Sequence, residues 1–332
     1  MSETVGVLGD GGWGTALAMV LAERSLDVVQ WGRFPEYLDR MRRTRRNPKF
    51  LPGITIPDDV RLTSDMAVVA EAEVLFSVIP SQYLRSVMEE LKPHYKHSRL
   101  IVSATKGMEV ESLMRPVEII RSVLGEVPTV VLSGPSHAEE VARRMPTTVV
   151  AASDDMGRAR LVQDLLHTER FRVYTNEDAI GVELGGALKN VIAIAGGMVD
   201  GLGFGDNTKA ALLTRGIVEM GRLGESLGAK RATFFGLAGI GDLITSCISP
   251  HGRNRAVGEK LGRGLKLDQI LKQMEQVAEG VRTSKAVYEL ARKRSVEMPI
   301  CGEVYRIIFE QKSPADALRD LMTRGLKDEW EW

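Results

Sequence analysis

The hydrophobic positions fall into two regimes along the chain. Between residue 4 and about residue 174, short β-branched runs alternate with helix-length segments of mixed polarity: TVGVLG, DVVQWG, EVLFSVIP, RLIVSATKG, TVVLSG, TTVVAAS and FRVYT. Continuous apolar runs of this length suit strands covered on both faces, and their alternation with helical segments predicts βαβ units around a doubly wound parallel sheet. Several runs end in Gly, Pro, Ser or Thr, at the strand ends where open α/β sheets collect ligands. After about Asp178 the strand pattern stops, and apolar residues recur at helical spacing over residues 180–199, 208–227, 284–294 and 302–309. That periodicity predicts an all-helical second domain. No repeat or Pro/Ser-rich linker separates the two regimes. The expected division is therefore 1–178, a doubly wound α/β domain, and 179–332, an all-helical domain.

Composition narrows the classes. Lys+Arg and Asp+Glu both number 44, so the formal net charge is +0, and no global field draws in nucleic acid or an anionic membrane. Cys247 and Cys301 are the only cysteines, too few for a disulfide framework or a metal knuckle, which suits a reducing cytoplasm and no bound metal. The acidic Glu3 and the early glycines do not read as an export signal. The apolar stretch LGGALKNVIAIAGGMV (184–199) is shorter than a bilayer span and holds Lys189 and Asn190, so it reads as a buried helix of a soluble protein without stable membrane insertion. Its two polar residues then need a reason to be there. The basic run RMRRTRRNPK (40–49) reads as the wet face of a helix plus loop, in preference to a nucleic-acid patch.

Candidate chemistry begins at GDGGWG (9–14), which fits G-x-G-x-x-G through Gly9, Gly11 and Gly14 between a predicted strand and the predicted helix TALAMVLAERS. In that context Gly9 allows the tight turn, Gly11 leaves room for a pyrophosphate, and Gly14 permits close helix–strand packing, with unpaired N–H groups at the helix start facing the phosphates. The second strand ends in Gln30, Trp31, Gly32 and Arg33, where an NAD-selecting enzyme usually carries a carboxylate. Arg33 would attract a 2′-phosphate, so NADP(H) is expected to be preferred with NAD(H) possible. The alternative is that Arg33 is only a solvated loop charge.

Four further stretches place polar groups where a core would not want them. ATKG puts Lys106 at a strand end, and SGPSHA (133–138) lies at another. In LGGALKNVIA, Lys189 shares a helix face with Gly185 and Gly186, whose missing side chains are expected to admit a flat ring or substrate. AGIGDLITSCISPHGRNRAVG (238–258) gathers Asp242, Ser246, Arg253, Asn254 and Arg255. Arg253 has the paired donors to grip a phosphate. Singly, Arg253 and Arg255 read as surface charges and Asp242 as an N-cap; together they point to a site.

The motifs GDGGWGTALA, PSQYLRSVM, ATKGME, SGPSHAEEVA, ELGGALKNVIAIAGGM, GFGDNTKAALLTRGIVEM, GLAGIGDLITSC, GRNRAVG and VAEGVRTSKAV, in order over nearly the whole chain, resemble those of the bacterial NAD(P)-dependent glycerol-3-phosphate dehydrogenases. The resemblance implies reversible reduction of dihydroxyacetone phosphate to sn-glycerol 3-phosphate for phospholipid synthesis. It also implies a Rossmann domain followed by a helical domain like that of the 6-phosphogluconate dehydrogenase superfamily, and a homodimer. By matching positions, Lys189 is the proton donor and acceptor, with Lys106 and Asp242 completing the catalytic set. Lys106, Gly134, Ser136, Lys189, Asp242, Ser246, Gly252, Arg253 and Asn254 fall at substrate positions. Gly9, Gly11, Gly12, Trp13, Gly14, Arg33, Lys106, Ala138, Arg253, Val277 and Glu279 fall at cofactor positions. The chain departs from the family pattern at Ser136 and Ser246, where threonine is expected and a hydroxyl survives, at His137, where an aromatic is usual, and at Gly252, where only backbone remains in place of serine.

The implied mechanism puts negative charge on a ketone oxygen beside the Lys189 amine, with burial and Lys106 expected to lower its pKa and Asp242 to orient it. Two rival readings share the fold. One is a related dehydrogenase of another small phosphorylated or hydroxy-acid substrate, and the other is a non-catalytic NAD(P)-sensing module.

Overall fold

The computed structural model describes residues 4–96, 99–274, 278–326 and 328–329. Its residues group into two compact units, one built from the chain up to 106 with 115–182, the other from 107–114 with the residues from 183 onward. The return of 107–114 to the second unit has no signature in the hydrophobic pattern.

In the first unit, strands β1 (Thr4–Leu8), β2 (Asp27–Trp31), β5 (Val60–Thr63), β6 (Val74–Ser77), β7 (Leu100–Ser103), β8 (Thr129–Ser133), β9 (Thr147–Ala152) and β10 (Phe171–Asn176) form one sheet in the order β10-β9-β8-β7-β6-β1-β2-β5. Strands β3 (Arg46–Asn47) and β4 (Leu51–Thr55) form a separate antiparallel ribbon. Helices α1 (Gly12–Glu23), α2 (Pro35–Thr44), α3 (Met66–Ala70), α4 (Ser81–Leu91), α5 (Pro116–Leu124), α6 (Ala138–Ala142) and α7 (Met156–Leu166) connect the strands. All seven runs read from the pattern are strands. The chain runs from β1 out through β2 to β5, then returns to β6 on the other side of β1, which makes the β1/β6 border the switch point where a crevice opens beyond the strand ends.

The structure corrects the expectation of a wholly parallel sheet, because β9 pairs antiparallel with β8 and parallel with β10. Strands β3, β4 and β5 carry no strand signature: they are two to five residues long, and β4 contains Pro and Gly. Val5, Val7, Leu17 and Leu21 have no exposed surface, and burying each such side chain contributes roughly 1.5–3 kcal/mol. This core fixes α1 against the strands, so the glycine turn between β1 and α1 stands on a rigid base.

The basic run divides between the two roles. Arg40, Arg42, Arg43, Arg46 and Lys49 are exposed, as a wet face predicts, but Asn47 is fully buried. Its Nδ2 donates to the Asp10 carbonyl at 2.7 Å and to Thr15 Oγ1 at 2.9 Å. Asn47 thus braces the glycine turn. The Arg45 guanidinium is half-buried and donates to the Ile56 and Val60 carbonyls at 3.3 and 3.0 Å.

In the second unit, helix α8 (Ala179–Gly201), whose residues from Glu183 onward belong to this unit, is followed by α9 (Asp206–Ser226), a 3-10 turn (Arg231–Phe235), a π turn (Leu237–Gly241), α10 (Asp242–Ile248), α11 (Arg253–Gly262), α12 (Leu267–Lys272), α13 (Glu279–Lys293), α14 (Pro299–Phe309) and α15 (Pro314–Met322). By length and composition α8 could cross a bilayer, but 89% of its apolar window is buried inside the protein. It is a core helix.

Glycines set how closely the neighbours of α8 approach it. A Cβ at Gly197 would collide with the Arg255 carbonyl oxygen, and one at Gly258 with the Ile194 carbonyl oxygen, so α8 and α11 touch backbone to backbone. Gly280 meets the Asn190 carbonyl in the same way, with 2.6 Å left for a Cβ. Gly185 lies against the π turn, where a Cβ would stand 2.6 Å from the Ala238 carbonyl oxygen. This corrects the reading of Gly185 as an opening for a flat ring: its missing side chain is filled by protein backbone.

Glu219 of α9 is buried and receives the first N–H groups of α14, from Ile300 to Oε1 at 2.7 Å and from Cys301 to Oε2 at 3.1 Å. Burial pushes its pKa up to about 7, against the pull of those two N–H groups. A carboxyl whose folded pKa exceeds its ordinary value of 4.5 adds stability at low pH that is lost as the pH rises through the folded value. Unfolding free energy measured in urea is therefore expected to fall for the wild type between pH 4.5 and about 7, relative to Glu219→Gln, by on the order of 3 kcal/mol. A difference that does not change with pH would contradict this assignment.

Candidate active site

The sheet unit carries its candidate residues at the carboxyl ends of parallel strands. Gly9 ends β1 with φ +122°, a conformation side chains resist, and its N–H donates to the Trp31 carbonyl at 2.9 Å. A Cβ at Gly11 would meet nothing within 4 Å, whereas one at Gly14 would collide with the Gly9 carbonyl oxygen. Gly11 leaves open space, and Gly14 lets α1 sit on the turn. Among the described residues no side chain caps α1 and its first turn holds no acidic residue. The turn therefore fits a dinucleotide pyrophosphate, which α1's N-terminal N–H groups and dipole would hold.

Gln30, fully buried at the end of β2, braces the turn from below: its Nε2 donates to the Gly9 carbonyl at 2.9 Å and to Thr15 Oγ1 at 3.1 Å. A polar residue between Val29 and Trp31 is the sequence signal for this strut. Gly12 faces the Phe50 carbonyl, where a Cβ would stand 2.5 Å away, and Ala138 lies beside it. Trp13 turns its ring towards Phe171, with centroids 6.4 Å apart, and packs on the core. Arg33 is exposed just after β2 and pairs with Glu90 of α4 at 3.3 Å.

Lys106 follows β7. Its Nζ donates to the Gly134 carbonyl at 2.8 Å and to Ser136 Oγ at 3.5 Å, and Ser136 Oγ donates to the same carbonyl at 3.0 Å. Gly134 has φ +127° and ends β8 against the Val149 backbone. Thr105, buried, donates to the Ile79 carbonyl at 2.8 Å and anchors this loop to the segment after β6. Lys106, Gly134 and Ser136 thus form one cluster on the ligand edge of the sheet.

In the helical unit the polar residues of α8 acquire their reason. Lys189, 7% exposed, donates from Nζ to Asp242 Oδ1 at 2.9 Å and to Ser246 Oγ at 2.5 Å. Asp242 opens α10 and Ser246 lies one turn further on, so one short helix presents both partners to the amine. Asp242 is the first residue of α10, and Gly241 holds the N-cap position. The third hydrogen of the ammonium has no partner among the described residues. Behind the amine, Cys247 is buried, and desolvation pushes its thiol up to about 12, so it stays protonated.

Beside Lys189, Asn190 Oδ1 accepts from Asn254 Nδ2 at 2.9 Å, and Asn254 Oδ1 accepts from the Gly280 N–H at 3.0 Å. Asn254 therefore ties α11 to α8 and α13, and one N–H of its amide stays outside those two bonds. Arg253 is exposed as the first residue of α11. Gly252, the N-cap, fits under the Ser246 carbonyl, where a Cβ would stand 2.7 Å away; a serine would not fit unchanged. Glu279 opens α13, and Val277 lies outside the described residues. Arg255 departs from the reading as a surface charge: its side chain pairs with Asp200 at 2.7 Å, and Asp200 also binds Lys209 at 2.6 Å.

A glycine turn at the switch point of a Rossmann-type sheet, followed in the chain by a helical unit that buries a paired lysine, has the make-up of a two-unit nicotinamide-dependent dehydrogenase. Residues 4–159 match the family model of the NAD-dependent glycerol-3-phosphate dehydrogenase N-terminus, and residues 178–319 match that of its C-terminus. The chain belongs to the NAD-dependent glycerol-3-phosphate dehydrogenase family. It is 50% identical over 333 residues to a glycerol-3-phosphate dehydrogenase [NAD(P)+] of Salinibacter ruber, covering 99% of this chain and 97% of the relative. It is also 50% identical to that of Geobacter sulfurreducens, covering 99% of each. The crystal structure of the glycerol-3-phosphate dehydrogenase of Coxiella burnetii superposes with a TM-score of 0.94 at 38% identity, covering 97% of this chain and 99% of that one.

Proposed function

We propose that the chain catalyses reversible reduction of dihydroxyacetone phosphate to sn-glycerol 3-phosphate with NAD(P)H, supplying glycerophospholipid synthesis. The buried Lys189–Asp242–Ser246 cluster carries this reading, in a chain whose relatives bear that activity in their names. A bound nicotinamide supplies the hydride. Lys189 then has to neutralise the oxygen on which charge develops and deliver a proton to it. Its ammonium has three hydrogens; Asp242 and Ser246 hold two and aim the third. Asp242 keeps the amine in place, and the neutral amine left behind takes its next proton from water. In the reverse direction the same nitrogen accepts the hydroxyl proton.

Arg253, with Asn254 beside it, grips the substrate phosphate, so binding energy remote from the ketone positions the reacting carbon. Lys106, fixed on Gly134 and Ser136, is a further contact for substrate and cofactor by its matching position. Gly12, Trp13, Ala138, Val277 and Glu279 complete the cofactor positions, and NADP(H) is preferred with NAD(H) also used. The protein acts as a cytoplasmic homodimer, which light scattering tests.

The test is oxidation of NADPH, beside NADH, in the presence of dihydroxyacetone phosphate. Turnover with both, and little with unphosphorylated dihydroxyacetone, is expected. Arg253→Ala should raise the KM for dihydroxyacetone phosphate by at least about tenfold, the effect of losing one charge-assisted bond. An unchanged KM removes Arg253 from the phosphate site.

A further inference from the structure

The carboxylate that an NAD-selecting sheet carries at the end of β2 is missing from β2, but the structure sets the Asp10 carboxyl against the residue that follows β2. Gly32 directly follows β2, and a Cβ built on it would lie 2.6 Å from Asp10 Oδ2, 2.7 Å from Asp10 Cγ and 2.8 Å from Asp10 Cβ. The Asp10 side chain, from the middle of the glycine turn, thus occupies the space into which a residue at position 32 would project. Only glycine at 32 allows this. The turn is held there from beneath, since the Asp10 carbonyl accepts from Asn47 Nδ2 at 2.7 Å.

Asp10 Oδ2 has no hydrogen-bond partner among the described residues although it is buried. An unpaired buried acceptor is costly and marks a position built for more than packing. Desolvation raises the Asp10 pKa above the ordinary carboxylate value, opposed by its own backbone N–H and by the charge of Lys49. No residue of β2 can supply a carboxylate, since its sequence is DVVQW with Asp27 at the opposite end from Gly32.

We propose that Asp10 is a cofactor-selecting residue: its carboxylate replaces the missing β2 carboxylate at the adenosine ribose, favouring a 2′-hydroxyl and opposing a 2′-phosphate. This rests on the reading of the chain as a nicotinamide-dependent dehydrogenase. Arg33 and Asp10 then act in opposition at one ribose. The arginine is exposed and pairs with Glu90 at 3.3 Å. The selectivity of the chain is the balance of the two, and dual use of NADP(H) and NAD(H) follows from having both.

The test measures binding to the protein without substrate. Dissociation constants for NADPH and NADH, and for the fragments 2′,5′-ADP and 5′-AMP, are measured by fluorescence or calorimetry on wild type, Asp10→Asn and Asp10→Ser. The expected result is a shift of at least about tenfold in the NADPH-to-NADH affinity ratio towards NADPH in both variants, as for loss of one like charge near a phosphate. The fragment ratio should shift the same way, since the fragments differ in the 2′-phosphate alone. Equal weakening of both cofactors would make Asp10 a support for the turn and overturn the proposal, as would a ratio unchanged within about twofold. If wild type binds neither cofactor, the dehydrogenase reading fails as well, which separates the two.

Discussion

Lys189→Ala is expected to lower kcat by at least about 10³-fold while leaving the dissociation constants of NADPH and NADH within about threefold. The amine is asked for two things: charge stabilisation at the developing alkoxide, and a proton. Losses of about 10²–10³ and 10²–10⁴ respectively accompany the removal of such groups. Lys189→Arg should not rescue, because a guanidinium does not release its proton in the working range. The truncation removes the Lys189 ammonium from the buried Asp242, so the variant is compared alongside its unfolding curve. Lys189→Met with Asp242→Asn keeps the volume and removes both charges. A folded double variant with kcat within tenfold of wild type would remove Lys189 from the mechanism.

Gly258→Ala is expected to cost at least about 3 kcal/mol or to prevent folding. The added carbon would overlap the Ile194 carbonyl oxygen, and the atoms in the way are main chain on α8, which cannot rotate aside as a side chain would. The damage reaches the site, because α11 carries Arg253 and Asn254 and α8 carries Lys189. Gly221→Ala in α9 is the control. There the nearest heavy atom to a new Cβ is Arg231 Cγ at 3.8 Å, so the substitution should be neutral or stabilise by roughly 0.5–1 kcal/mol through helix propensity and chain entropy. Thermal unfolding of the two variants checks both signs. Equal effects would show that the backbone contact between α8 and α11 does not limit stability.

Much of this architecture is legible in the chain because strands such as β6, β7 and β8 are buried along their whole length, which leaves unbroken apolar runs, and because the long helices repeat their apolar positions. Short elements gave no such signal. Strands β3, β4 and β5 are too brief and too exposed, and the direction of β9 depends on tertiary pairing that no local pattern records. At the site, Lys189 stood out because an amine inside an apolar helix demands a partner, and the partners proved to be Asp242 and Ser246. Gly185 misled for a physical reason: a missing side chain reads the same whether a ligand or a neighbouring backbone fills the space. Asp10 carries no signal in the chain because the glycines around it account for the motif, and its nearness to Gly32 exists only once the turn is folded against β2.

The reversed strand has an evolutionary consequence. If β9 ran parallel to β8, the link between them would have to cross to the far side of the sheet before returning; because it runs the other way, residues 134–146, with Ser136 and Ala138, stay where the glycine turn and Lys106 emerge. The turn after β9 exits on the remote edge instead. Descendants of this chain are therefore free to lengthen that remote turn, while any lengthening of 134–146 changes the surroundings of Lys106 and its partners Gly134 and Ser136.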